Sequence, residues 1–167
     1  MAKFSDLITY FSGLATKHKS IGHSAQEKHF FRFEIDEVLA GINRSDVNYP
    51  MLILEGYNFD FTDDKSDNVL KNRHGAFVLL DHVKDVTDYA AIHDKWDALE
   101  VICDDILAKI KADKRNPLTP VVRSFDLSSI EVYLIKNEIN NTVGMRVLFA
   151  LTSPQSMEVN ASRWLTT

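Results

Sequence analysis

Cys103 is the only cysteine among the 167 residues, so no disulfide can close within the chain. Six glycines and four prolines are few, and no group of glycines forms a loop of the kind that cradles a phosphate. No stretch approaches the ~18 consecutive apolar residues of a membrane-crossing helix. The amino terminus, Met1-Ala2-Lys3-Phe4-Ser5-Asp6, carries neither a long apolar run nor a cleavage site, from which we expect a protein made and used in the cytoplasm. Positive charge is also scarce: 19 Lys and Arg face 24 Asp and Glu, for a formal net charge of −5. Such a balance offers no general attraction to phosphate backbones or anionic membranes, and leaves room only for a local basic patch.

What is present is an ordinary globular composition, 45% hydrophobic and 26% charged. A chain of 167 residues suits one domain with a proper core, about 70% of its extended surface being buried on folding. The clearest element runs from Tyr89 to Lys111. Tyr89, Ile92, Trp96, Leu99, Cys103, Ile106 and Ile110 recur at alternating spacings of three and four, one apolar stripe on one long helix. Cys103 lies on that stripe and reads as a packed side chain. Asp85, Thr87 and Asp88 supply a cap and negative charge ahead of the helix, and Lys109, Lys111, Lys114 and Arg115 complement its far end.

An amino-terminal helix is expected from Ser5 or Asp6, with Leu7, Ile8, Phe11 and Leu14 on one side. Thr16 to His29 reads as a polar, basic connection. Phe30 to Ile42 fits either a strand or a short helix, and Gly41 to Pro50 reads as a turn-rich loop. Met51 to Phe61 reads as one strand, with Met51, Ile53, Tyr57, Phe59 and Phe61 on one side and Leu52, Leu54, Asn58 and Asp60 on the other. After a charged loop at Thr62 to Asn68, His74 to Val83 reads as a central strand covered on both faces. Ser129 to Lys136 and Val143 to Thr152, joined through an Asn-rich connection, read as a closing hairpin with Arg146 facing out. The expected architecture is α+β: a mostly antiparallel sheet of about four or five strands packed against one long amphipathic helix, with an amino-terminal helix. Residues 1–154 form that single domain, and 155–167 form a tail that packs on its own domain or docks on a neighbour.

The search for chemistry returns little. Asp60, Asp63, Asp64 and Asp67 are dense enough for a hard cation, but the EF-hand spacing fails, since Asn68 stands where the glycine belongs and His74 where the bidentate glutamate belongs. A solvated loop is the plainer reading, and we assign no metal. His18, His23 and His29 lack the i, i+4 spacing of a helical pair and have no cysteine beside them. Asp81-His82 and His93-Asp94 are adjacent pairs that cannot orient each other directly, so we assign neither catalytic residues nor a cofactor. Two other features invite contact. Lys17, Lys19 and Lys28 concentrate positive charge in one connection, and Met157, Trp164 and Leu165 are apolar anchors in the tail.

The order of elements, together with Asn140-Asn141-Thr142-Val143-Gly144-Met145-Arg146-Val147-Leu148-Phe149 as closing hairpin, resembles the tail terminator and tail completion proteins of tailed phages. Related contractile injection systems carry similar cap proteins. The resemblance covers Phe4 to about Pro154 in size and element order and transfers no catalytic motif. It implies a structural virion protein that forms a hexameric ring with copies of itself. Such a ring caps the tail tube, joins it to head, neck or connector proteins, and lets DNA through its lumen without holding it. It further implies assembly in the host cytoplasm and no membrane partner. In that setting Met157, Trp164 and Leu165 are the candidate subunit interface, and Lys17, Lys19, Lys28, Asp63, Asp64 and Asp67 lie on candidate lumen- or partner-facing loops. A stand-alone small α+β adaptor or binding protein and a metal-dependent hydrolase using Asp60, Asp63, Asp67 and a histidine are the competing readings.

Overall fold

The computed structural model describes residues 3–32, 47–63, 65, 68–137 and 140–165. Two α-helices and six strands are present among them: α1 (Phe4–Lys17), β1 (Phe30–Phe31), β2 (Met51–Leu54), β3 (Asn58–Thr62), β4 (Leu70–His82), α2 (Tyr89–Lys114), β5 (Phe125–Asn137) and β6 (Thr142–Pro154). The sheet runs β1-β2-β4-β6-β5, with β3 beside the first part of β4 on the same side as β2. All pairings are antiparallel except β1 with β2, so the sheet is mixed. The α+β class and the antiparallel majority stand, with six strands in place of four or five. The helical layer is not one long helix alone: α1 and α2 share the same face.

On that face Phe77 and Leu79 of β4, Met145, Val147 and Phe149 of β6, and Leu52 and Leu54 of β2 meet Leu7, Phe11 and Leu14 of α1 and Leu99, Cys103 and Ile106 of α2. Phe149 is the hub, its ring stacked on Phe125 at 5.0 Å and on Phe11 at 5.9 Å between centroids. Gly75 makes room for it, because a Cβ there would meet the Phe149 ring at 2.8 Å. Gly144 is tighter still, since its Cβ would run into the Leu79 carbonyl oxygen.

α1 starts earlier than expected. Its cap is Lys3, whose N–H donates to Asp6 at 2.8 Å, so Asp6 serves from the first turn, where a carboxylate also complements the helix dipole. α2 is capped by Asp88, which accepts from the Ala91 N–H at 3.1 Å, and continues to Lys114. Its stripe differs from expectation at both margins. Tyr89 is exposed, although Ile92 in the same turn is fully buried, and Ile102 is buried beside Cys103. Trp96 is half-buried and donates its indole N–H to the Ile135 carbonyl at 3.3 Å, tying α2 to β5.

The largest correction concerns Met51 to Phe61, which is two strands. Leu54 pairs with Phe77 and Asn58 with His74, so four steps along this segment match three along β4. The extra residue, in Glu55-Gly56-Tyr57, is a bulge, and a one-residue slip exchanges the faces of everything after it. Leu52 and Leu54 therefore share a face with Phe59 and Phe61, not with Asn58 and Asp60. The two phenylalanines lie beyond the reach of the helices and stay exposed, with Lys71 Nζ 3.6 Å from the centre of the Phe59 ring. β4 also begins earlier than expected, at Leu70, and it is central as anticipated. Of the ambiguous segment from Phe30, only Phe30–Arg32 and Val47–Pro50 fall among the described residues, and Phe30–Phe31 is a strand.

Candidate functional site

The opposite face of the sheet has no described helix over it. Met51, Ile53, Val78 and Leu80 form a small second cluster there. Next to it Glu55 continues the alternation of Met51 and Ile53, just ahead of the extra residue, and its carboxylate is nearly buried where Arg146 of β6 grips it, with Nη2 2.6 Å and Nε 3.1 Å from its oxygens. Arg146 does face out as expected, and its partner comes from 91 residues away in sequence. No local pattern announces such a pair. Glu55 and Arg146 border a polar groove of about 750 Å³ together with Asn58, His74, Glu131 and Leu148. At its end Asp60 accepts from Asn72 at 2.9 Å and faces His74 at 3.1 Å, and these two bonds hold its pKa below the ordinary carboxylate value.

Asp60 thus spends its oxygens on cross-strand partners. Asp63 accepts from the Lys65 N–H at 2.8 Å, as a turn residue does, while Asp64 and Asp67 lie outside the described residues. Among the described residues no group of three or more His, Cys, Asp or Glu is arranged to hold a metal ion. Asp81 pairs with Lys95 at 2.8 Å and His93 stacks on Trp96, so the adjacent Asp–His pairs serve separate contacts.

The basic connection is better anchored than its composition suggests. Ile21 is buried, and His29 is buried with Nδ1 2.7 Å from the Pro50 carbonyl. Partial burial beside it pushes the His23 pKa down, with the nearby His29 acting in the same sense against a raising bond to Glu27. Lys17 and Lys19 are exposed at the end of α1 and, with Lys109 of α2, rim a cleft of about 440 Å³ floored by Leu14 and Ile106. Lys28 is exposed on a separate part of the segment, so the three lysines do not converge.

The tail is where apolar surface is most openly displayed. Met157 is 63% exposed, Val159 77%, Trp164 71% and Leu165 98%. Gln155 N–H donates to the Val69 carbonyl, and the tail also makes local hydrogen bonds, as in the short turn at Ala161–Arg163 capped by Asn160. A second display lies on β5, the last strand of the sheet order. Val132, Tyr133 and Leu134 are 46%, 53% and 56% exposed in consecutive positions. Sequence reasoning found the strand but not its edge position, which depends on which strands pair. No helix among the described residues is long and apolar enough to cross a membrane. No protein-family model matches the chain, and no curated protein matches it in sequence.

Proposed function

We propose that this chain is a structural, non-enzymatic subunit that closes into a ring in a phage tail or neck. The specific role we assign is the tail terminator that caps the tail tube and joins it to the neck or head. The observation that carries the assembly reading is the carboxy-terminal segment, whose Met157, Val159, Trp164 and Leu165 stay in water in the isolated chain. Burying a side chain of that class is worth about 1.5–3 kcal/mol, and a large aromatic in a desolvated pocket is the usual anchor of an interface. The phage assignment rests on the likeness of element order: an amino-terminal helix, strands, a long second helix, a closing hairpin and a tail. A negative chain suits a lumen that DNA traverses without sticking.

The test is the mass of the purified native protein by light scattering, for the full chain and for one ending at Pro154. The expected result is a closed particle of six 19.0 kDa chains that dissociates when the tail is removed. A chain that stays monomeric at high concentration, and that does not bind isolated tail tubes, would overturn the reading. It would favour instead a small adaptor that presents Trp164 to an unrelated partner.

A further inference from the structure

Two unpaired features of this molecule match each other but lie apart. β5 ends the sheet order, and among the described residues no strand lies along its outer side. Apart from the charge of Glu131, its stretch Glu131–Leu134 carries few of the usual protections of a free edge. It has no proline, no lysine and no bulge, the register shift of β5 lying earlier, between Asp126 and Glu131. The stretch is bounded on the other side where the Ile135 carbonyl accepts the Trp96 indole. Val132 pairs with Val147 and Leu134 with Met145, both core residues of β6, so Val132 and Leu134 point to the helix-covered face, while Glu131 and Tyr133 point to the other.

The second feature is Ser156 to Asn160 in the tail. Met157 and Val159 alternate there with Ser156, Glu158 and Asn160, the pattern of a strand with one apolar face. Five residues span about 17 Å, enough to lie along the whole open stretch of β5. The tail does not reach that edge in its own subunit. Its first residue only prolongs the ladder of β6 with β4 by bonding to Val69, and Met157, Val159, Val132 and Leu134 all stay exposed.

We infer that residues 156–160 of one copy add as an extra strand to the Glu131–Leu134 edge of a second copy, with Met157 and Val159 seated beside Val132 and Leu134. The mode is strand addition, in which main-chain hydrogen bonds supply affinity and alternate side chains supply register. Donor and acceptor are different surfaces, so the contact is head-to-tail, and head-to-tail contacts generate rings when the rotation closes. This inference rests on the ring reading proposed above and names the surface that reading needs.

Hydrogen exchange on the full-length chain, paired with its mass in solution, tests it. In the oligomer, amides of 131–134 and 156–160 should exchange at least tenfold more slowly than in the diluted monomer. Val159→Pro, which removes a donor from an exposed tail position, should abolish both protections and the oligomer. Val132→Lys, which charges the edge, should do the same while leaving the monomer folded by circular dichroism. An oligomer whose 131–134 and 156–160 amides exchange freely would overturn this contact and leave the ring reading intact. Protection of both stretches in a strict monomer would mean that the tail folds back on its own edge, which also overturns it. A strict monomer without protection would remove the contact and the ring reading together.

Discussion

Phe77 and Trp164 are both large aromatic side chains, and the molecule treats them oppositely: Phe77 is fully buried in the helix-covered half of the sheet, while Trp164 stands in water on the tail. The same contrast runs between Leu79 and Leu165, and between Val147 and its cross-strand neighbour Val132. Residue type does not separate the two regions. What separates them is whether another element of the same chain is close enough to exclude water. The core half is therefore a device for stability, while the tail and the β5 edge leave apolar side chains in water.

The contrast breaks most visibly at its centre. Phe149→Ala should cost about 3–5 kcal/mol, because the ring it removes is shared by α1, β4 and β5, and chemical denaturation measures that loss. Gly144→Ala should cost at least 2 kcal/mol, on the order of an overpacked core, since the new methyl meets backbone that cannot yield. Arg146→Ala should cost about 1–3 kcal/mol by stranding Glu55 in a nearly buried position, and Glu55→Gln with Arg146→Met together should cost less than the arginine change alone. At the other pole, Leu165→Ala should change the unfolding midpoint of the monomer by an amount corresponding to less than about 0.5 kcal/mol.

A pH experiment sharpens the same comparison. Tyr10 donates to Asp113 at 3.0 Å, and burial, that bond and the carboxylate charge all push its phenol well above the ordinary tyrosine value. A raised folded pKa means that the stabilisation is complete below about pH 10, where the unfolded phenol is also protonated. It is lost as pH climbs past that point, because the unfolded chain then releases the proton and the folded chain does not. Stability of the wild type should therefore fall more steeply above about pH 10 than that of Tyr10→Phe, read from thermal midpoints across the range. Cys103 gives the smallest signal. Burial, with Asp104 and Glu100 nearby, pushes its thiol up to about 11, so alkylation at pH 8 should be slow in the native chain and fast after denaturation.

Much of this fold is legible along the chain because it follows local periodicity. The spacing of Ile92, Leu99, Cys103, Ile106 and Ile110 locates α2, and Ala76 to Leu80 reads as a strand buried on both sides, as β4 is. The Asn-rich connection marks the hairpin, where Asn141 adopts the positive φ of 51° that asparagine tolerates. The bulge at Glu55–Tyr57 was not legible, because alternation continues on both sides of it and only the pairing with β4 reveals the extra residue. The Glu55–Arg146 pair was not legible either, because its members stand on different strands 91 residues apart. Of the candidate site, Met157, Trp164 and Leu165 could be picked out as apolar residues in a polar tail. The β5 edge could not, since Val132 and Leu134 look like any half-buried strand until the strand order is known.

The sequence by itself determined the helices, the central strands, the hairpin and the apolar tail, because each depends on dihedral preference and side-chain period over neighbouring residues. Only the tertiary structure decided the parallel pairing of β1, the face reversal after Leu54, the grip of Arg146 on Glu55 and the exposure of β5 at the end of the sheet. Those depend on which distant segments pair and on what the two helices cover. Register and strand order are settled by the burial of the whole sheet at once, and no window of the chain contains that information.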